Sequence, residues 1–111
     1  MEDELVGWGR VVRIETTGRK SGRTIPVVVG FVEREGDAFV VAATSPDAAW
    51  ARNLEADPRC RVTIGERSWT AEARPLEGRE HAAAVRDLIL RYGTPSEGLG
   101  SGPSFELTPL A

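Results

Sequence analysis

Thr24-Ile25-Pro26-Val27-Val28-Val29-Gly30-Phe31-Val32-Glu33-Arg34, followed by Glu35-Gly36-Asp37 and then Ala38-Phe39-Val40-Val41-Ala42-Ala43-Thr44, decides the fold class. The first run is almost continuously apolar and β-branched, the composition of a strand covered on both faces. Pro26 sets its start at a sheet edge, because proline brings no N–H to a ladder. The Glu-Gly-Asp tripeptide supplies a turn, and the second run returns as the other arm of a hairpin.

Working outward, Gly9 to Thr16 reads as a preceding strand, with Val12 and Ile14 on one face and Arg13 and Glu15 on the other. After the hairpin, Ser45-Pro46-Asp47 has the form of a helix start: Ser45 as cap, Pro46 at the first helical position, Asp47 at the positive end of the dipole. That helix runs to about Ala56, with Trp50 and Leu54 on one face, and Asp57-Pro58 ends it. Arg59 to Ile64 and Arg67 to Arg74 alternate as two strands about a Gly65-Glu66 turn, with Cys60, Val62, Ile64, Trp69, Ala71 and Ala73 facing inward.

Arg79 to Tyr92 is the one long helix, its apolar face Val85, Leu88, Ile89 and Tyr92, and Gly93 stops it. Gly93 to Pro103 is too rich in Gly and Pro for a regular element and reads as a mobile loop. Phe105 to Thr108 closes the chain as a strand. Six mostly hairpin-linked strands with two helices describe a mainly β (α+β) antiparallel barrel whose helices plug its ends. At 111 residues this is a single domain, residues 1–111.

The hydrophobic share of 41% and charged share of 28% are ordinary for a globular domain. No apolar run approaches the roughly 18 residues of a membrane span, and Met1-Glu2-Asp3-Glu4 is acidic where a secretion signal would be basic, so the expected location is cytoplasmic. One Cys and one His assemble neither a disulfide nor a zinc cluster, and no metal is expected. A net charge of −3 argues against general affinity for nucleic acid. Cys60 reads as core packing, and His81, beside Glu77 and Glu80, as a solvated helix residue.

The chemistry concentrates in Thr16-Thr17-Gly18-Arg19-Lys20-Ser21-Gly22-Arg23, which joins the first two strands and holds the only lysine, Lys20. Three cations, hydroxyl side chains and two glycines that admit a close ligand make a cradle for phosphate or carboxylate. The same residue types build exposed hairpin turns, so composition alone leaves both readings open.

This loop, the proline-containing apolar strand after it, Val40-Val41-Ala42-Ala43, and Trp50 with Asn53-Leu54 three residues on together resemble the deazaflavin-dependent nitroreductase family, over about Val12 to Leu76 and again at Phe105 to Pro109. The resemblance implies an FMN-binding type of split β-barrel and hydride transfer from reduced coenzyme F-420 to a small electrophilic acceptor, a quinone or nitroaromatic. It implies that Arg19, Lys20, Ser21, Gly22 and Arg23 bind the coenzyme's phosphate and glutamyl tail. Pro26 and Val27 would then line the deazaflavin edge, Ala42, Ala43 and Thr44 would face the ring through backbone groups, and Trp50 would pack beside it.

The family often has a tyrosine-bearing segment over the substrate, which makes Tyr92, the only tyrosine, the catalytic candidate. FMN is the alternative cofactor, and a non-catalytic flavin, deazaflavin or tetrapyrrole carrier is the alternative function. A structural split-barrel partner of a larger assembly is the third. Related barrels pair, so a homodimer stays open as well.

Overall fold

A computed structural model describes residues 10–93 and 101–110. Seven strands form one antiparallel sheet: β1 (Val12–Thr17), β2 (Thr24–Val29), β3 (Val32–Glu33), β4 (Phe39–Ala42), β5 (Arg59–Ile64), β6 (Arg67–Pro75) and β7 (Ser104–Pro109), in the order β2-β1-β5-β6-β7-β4-β3. Helices α1 (Ala49–Ala56) and α2 (Gly78–Tyr92) are the two predicted. No helix among the described residues is long and apolar enough to cross a membrane.

The count of seven strands corrects the expected six, and the reason lies inside the run that decided the fold class. Thr24 to Arg34 is two strands, parted at Gly30-Phe31, and they occupy opposite edges of the sheet. Two residues cannot span a flat seven-stranded sheet, whose strands lie about 4.8 Å apart. The sheet therefore curls until its edges nearly meet, which is a split barrel. At that seam the Tyr92 hydroxyl accepts the Phe31 N–H at 2.9 Å and shares its own proton between the carbonyls of Arg10 at 2.8 Å and Phe31 at 3.1 Å. A side chain thus stands in for the missing ladder.

The barrel interior holds Val12, Ile14, Phe39, Val41, Val62, Ala71, Ala73, Phe105 and Leu107, the alternating inward positions of β1 and β4–β7, with Leu54 from α1. Cys60 joins this core, and burial together with the nearby Asp57 carboxylate pushes its thiol up to about 12. Ile64 and Trp69 pack at its margin, so the predicted faces of β5 and β6 stand. Val40 points outward from β4 into a smaller cluster with Leu76 and Ala84 of α2. Hence β4 is buried at every position.

By contrast β2 is not covered on both faces as expected. It pairs only with β1, Thr24 to Pro26 are exposed, and Val27 to Val29 are half-buried. Pro26 does sit on an edge strand, opposite Glu15.

Three further expectations change. The first helix begins at Ala49, not after Ser45, because the Ser45 hydroxyl accepts the Asp47 N–H at 3.1 Å and closes a separate turn two residues on. The buried residues of α2 are Ala84 and Leu88, while Val85 and Ile89 are half-buried and Leu90 is 77% exposed. The helix lies along the outside of β3, β4 and β7, so a narrower stripe suffices. His81 is not simply solvated: its Nδ1 lies 2.6 Å from the Oγ of fully buried Ser104. Gly93, at φ 77°, ends α2 as read. Of the predicted mobile loop, residues 94–100 lie outside the described residues.

Candidate functional site

The seam that curls the barrel also opens a cavity. It measures about 540 Å³ and is lined by Val11, Val27, Val28, Val29, Gly30, Ala42, Ala43, Thr44, Trp50, Leu88 and Tyr92. That volume falls within the roughly 300–1,000 Å³ of small-molecule sites. Each element contributes for a local reason. The half-buried end of β2 supplies valines that edge pairing leaves accessible. The end of β4 supplies small residues, and Ala43 N–H is held by the Pro103 carbonyl at 2.8 Å. From α1 comes Trp50, braced against Phe105 at 6.0 Å between ring centroids.

Six predicted residues, Val27, Ala42, Ala43, Thr44, Trp50 and Tyr92, therefore meet at one cavity. Pro26 lies on the same strand one residue outside the lining. Tyr92 presents its ring to the cavity while its hydroxyl is bound to backbone groups of Arg10 and Phe31. A second cavity of about 190 Å³, walled by Phe31, Phe39, Ile64 and Trp69 and rimmed by the Arg67–Asp37 ion pair at 3.4 Å, gathers none of the predicted residues.

Gly18 to Arg23 forms a compact exposed loop between β1 and β2. Gly18 N–H reaches the Arg23 carbonyl at 2.7 Å, Gly22 N–H reaches the Gly18 carbonyl at 2.8 Å, and Arg23 N–H reaches Ser21 Oγ at 3.2 Å. Gly22 sits at φ 72°, where an L side chain is strained. Gly18 is closely approached, since a Cβ there would lie 2.8 Å from both Ile25 Cδ1 and Ser21 Oγ and would make those side chains shift. Arg19, Lys20 and Arg23 are all exposed on this frame.

Sequence reasoning missed Asn53 as a part of the site. Its Oδ1 accepts both the Arg19 N–H at 3.3 Å and the Arg19 guanidinium at 2.9 Å, and its Nδ2 donates to Thr16 Oγ1 at 3.1 Å. The signal was available: an amide on the buried face of an amphipathic helix needs partners. Val11, Val28, Val29, Gly30 and Leu88 were also missed, because nothing in their types separates cavity wall from core.

Cavity and loop share two elements. Val27 lies four residue steps beyond Arg23 along β2, about 13 Å, and one turn of α1 separates Trp50 from Asn53. A cavity walled mainly by apolar side chains, with a cationic loop on the same two elements, suits a ligand with a flat aromatic body and an anionic tail.

The model of the F420H(2)-dependent quinone reductase family matches residues 4–94. The chain belongs to that family. As a member of the F420H(2)-dependent quinone reductase family it is an oxidoreductase that uses coenzyme F-420. No curated protein matches.

Among solved structures, one described as an F420-H2 dependent reductase (FDR-A) is 26% identical, covers 88% of this chain and 93% of its own, and superposes with a TM-score of 0.73. The heme storage protein HutZ of Vibrio cholerae, at 20% identity, covers 98% of this chain and 87% of its own with a TM-score of 0.75. A structure described as a domain-swapped dimer, at 24% identity, covers 95% of this chain and 92% of its own with a TM-score of 0.74. The last two show the fold alone.

The residues present fit the family's coenzyme. Its flat aromatic deazaflavin suits a cavity walled mainly by Val, Ala, Leu, Trp and Tyr side chains with backbone groups between them, and its phosphate and carboxylates match the donor set of the loop.

Proposed function

We propose that the chain binds reduced coenzyme F-420 with its ring in the cavity between β2, β4 and α1 and its anionic tail on the Gly18–Arg23 loop, and reduces a small electrophilic acceptor of the quinone or nitroaromatic type. The observation that carries this reading is the pairing of one apolar slot with one cationic loop through the shared elements β2 and α1. When bound, the coenzyme supplies the hydride.

The protein's share is binding, orientation and the shape of the slot. Arg19, Lys20, Ser21, Gly22 and Arg23 hold phosphate and carboxylate by charge-assisted hydrogen bonds. Val27 and its neighbours would pack against the ring, with Pro26 at the rim, and Trp50 would limit its sideways motion. Ala42, Ala43 and Thr44, being small, let backbone approach. No protein nucleophile is needed, and solvent at the cavity mouth supplies the proton that completes reduction. Tyr92 serves as cavity wall and seam clamp, because its hydroxyl proton is already committed to backbone carbonyls.

The shared fold of the heme storage protein HutZ favours a second reading, a carrier that binds the coenzyme without turnover. Titration with oxidised F-420 and, in parallel, with FMN, followed by tryptophan quenching, tests binding; turnover of reduced coenzyme with menadione or a nitroaromatic then separates the two readings. Binding of the deazaflavin in preference to FMN, with turnover, is expected. Preference for FMN, or binding of neither, refutes the proposal. Lys20→Ala is expected to weaken F-420 binding by about 1 to 3 kcal/mol.

We also propose a homodimer in which a second copy covers the exposed end of β2, where Ile25 is 39% exposed beside Pro26.

A further inference from the structure

Asn53 stands out on α1. Ala51 and Leu54 beside it are apolar and fill the core, yet this amide is only 1% exposed. Its hydrogen bonds run in one direction across three elements. The Arg19 N–H and guanidinium donate to Oδ1, Nδ2 donates to Thr16 Oγ1, and that hydroxyl donates to the Ile25 carbonyl at 3.0 Å. Because Thr16 spends its proton on Ile25, its oxygen is free only to accept, which fixes the amide's orientation. Asn53 Oδ1 is thereby turned toward the loop. Chained donors and acceptors in a dry setting polarise and stiffen one another.

The consequence falls on Arg19. A guanidinium offers five N–H donors, and among the described residues one of them goes to Asn53. The others remain for a ligand, on a side chain whose position is set in advance. Lys20 and Arg23 have no such side-chain tether among the described residues. The loop therefore combines one pre-placed cation with two that adapt.

We propose that Asn53 is the positioning residue of the anion cradle: it fixes Arg19 as the pre-organised contact for the phosphate group of the ligand, and ties that contact to the helix that carries Trp50. This rests on the reading of the site as a coenzyme F-420 pocket. Pre-organisation matters because a flexible cation loses rotamer freedom on binding, at a cost that a fixed one has met during folding. Asn53 touches no ligand itself.

The test uses the full chain and two probes, followed by tryptophan quenching: coenzyme F-420, and the deazaflavin riboside that lacks phosphate and glutamyl tail. Asn53→Ala is expected to weaken F-420 about tenfold and the riboside less than twofold. Arg19→Ala should do the same, and the double variant should bind F-420 no more weakly than Arg19→Ala alone, since both substitutions remove one device. Equal loss for both probes would mean that Asn53 merely holds the fold, and overturns the inference. So does no loss for either, or multiplication of the two effects in the double variant.

Where Asn53→Ala does not fold, Thr16→Val takes its place, with the same selective loss expected and the same results overturning it. Wild-type protein that binds F-420 while Asn53→Ala is indifferent refutes only the role of Asn53; wild-type protein that binds neither probe refutes the coenzyme reading as well.

Discussion

Gly30→Ala tests the seam on which both the barrel and its cavity depend. A Cβ at Gly30 would lie 2.7 Å from Tyr92 Cε2 and 2.9 Å from Cζ, whereas carbon atoms pack at about 3.5 to 4.0 Å. The ring would have to retreat by about 0.8 Å, away from the groups its hydroxyl serves. Hydrogen bonds of 2.8 to 3.1 Å to Phe31 N, Arg10 O and Phe31 O leave little slack for that. Overpacking contributes about 1 to 3 kcal/mol, and weakening of the hydroxyl contacts adds about 1 kcal/mol. The smaller unfolded-state entropy of alanine offsets about 0.5 kcal/mol.

The expected destabilisation is therefore about 1.5 to 3.5 kcal/mol, read as a fall in midpoint of roughly 6 to 28 °C for a domain of this size. Circular dichroism melts and urea titrations measure it. In a Tyr92→Leu background, which removes the obstructing ring, the same alanine should cost under about 1 kcal/mol. A Gly30→Ala variant within about 0.5 kcal/mol of the parent, or an equal cost in both backgrounds, refutes the account of the seam.

Trp50→Ala is expected to weaken the deazaflavin riboside and intact F-420 alike, by about 1 kcal/mol, in contrast to the tail-selective effect of Lys20→Ala; titration with both ligands decides. Cys60 should resist thiol reagents in the native state. Its folded pKa is raised, so the stabilisation it gives is fully present below the unfolded thiol's ordinary value near 9 and declines as pH rises toward about 12. Urea titrations between pH 8 and 10 should show that decline shrink in Cys60→Ala, and an unchanged slope counts against it. Sedimentation should give a dimer that Ile25→Asp converts to monomer; a parent that sediments as a monomer removes β2 as an interface.

The site was partly legible before the fold. The loop announced itself through residue type: two glycines that admit a close ligand and three cations with hydroxyls between strands are local signals. The resemblance named Val27, Ala42, Ala43, Thr44 and Trp50, and the cavity gathers all of them. Asn53 was in plain view on an apolar helix face, but its partners Thr16 and Arg19 are 37 and 34 residues away. Distances of that kind have no trace in a local pattern. Tyr92 drew notice for the chemistry of its hydroxyl, whereas the contacts of that hydroxyl give it a structural task.

Hydrophobic period and turn chemistry by themselves determined the mainly β class, the strand faces of Cys60 to Ala73, the two helices and the loop that carries the charge. These properties are local: alternation, β-branching, and glycine or proline at turns act within a few residues. Only the tertiary structure decided that Thr24 to Arg34 is two strands on opposite edges of the sheet, that Val27 to Val29 line a cavity at the margin of the core, and that Tyr92 clamps the seam between Arg10 and Phe31. An unbroken apolar run reads the same whether its ends share one strand or part at a seam. The choice depends on a ring brought in by a helix some 60 residues on, at a glycine where any Cβ would collide.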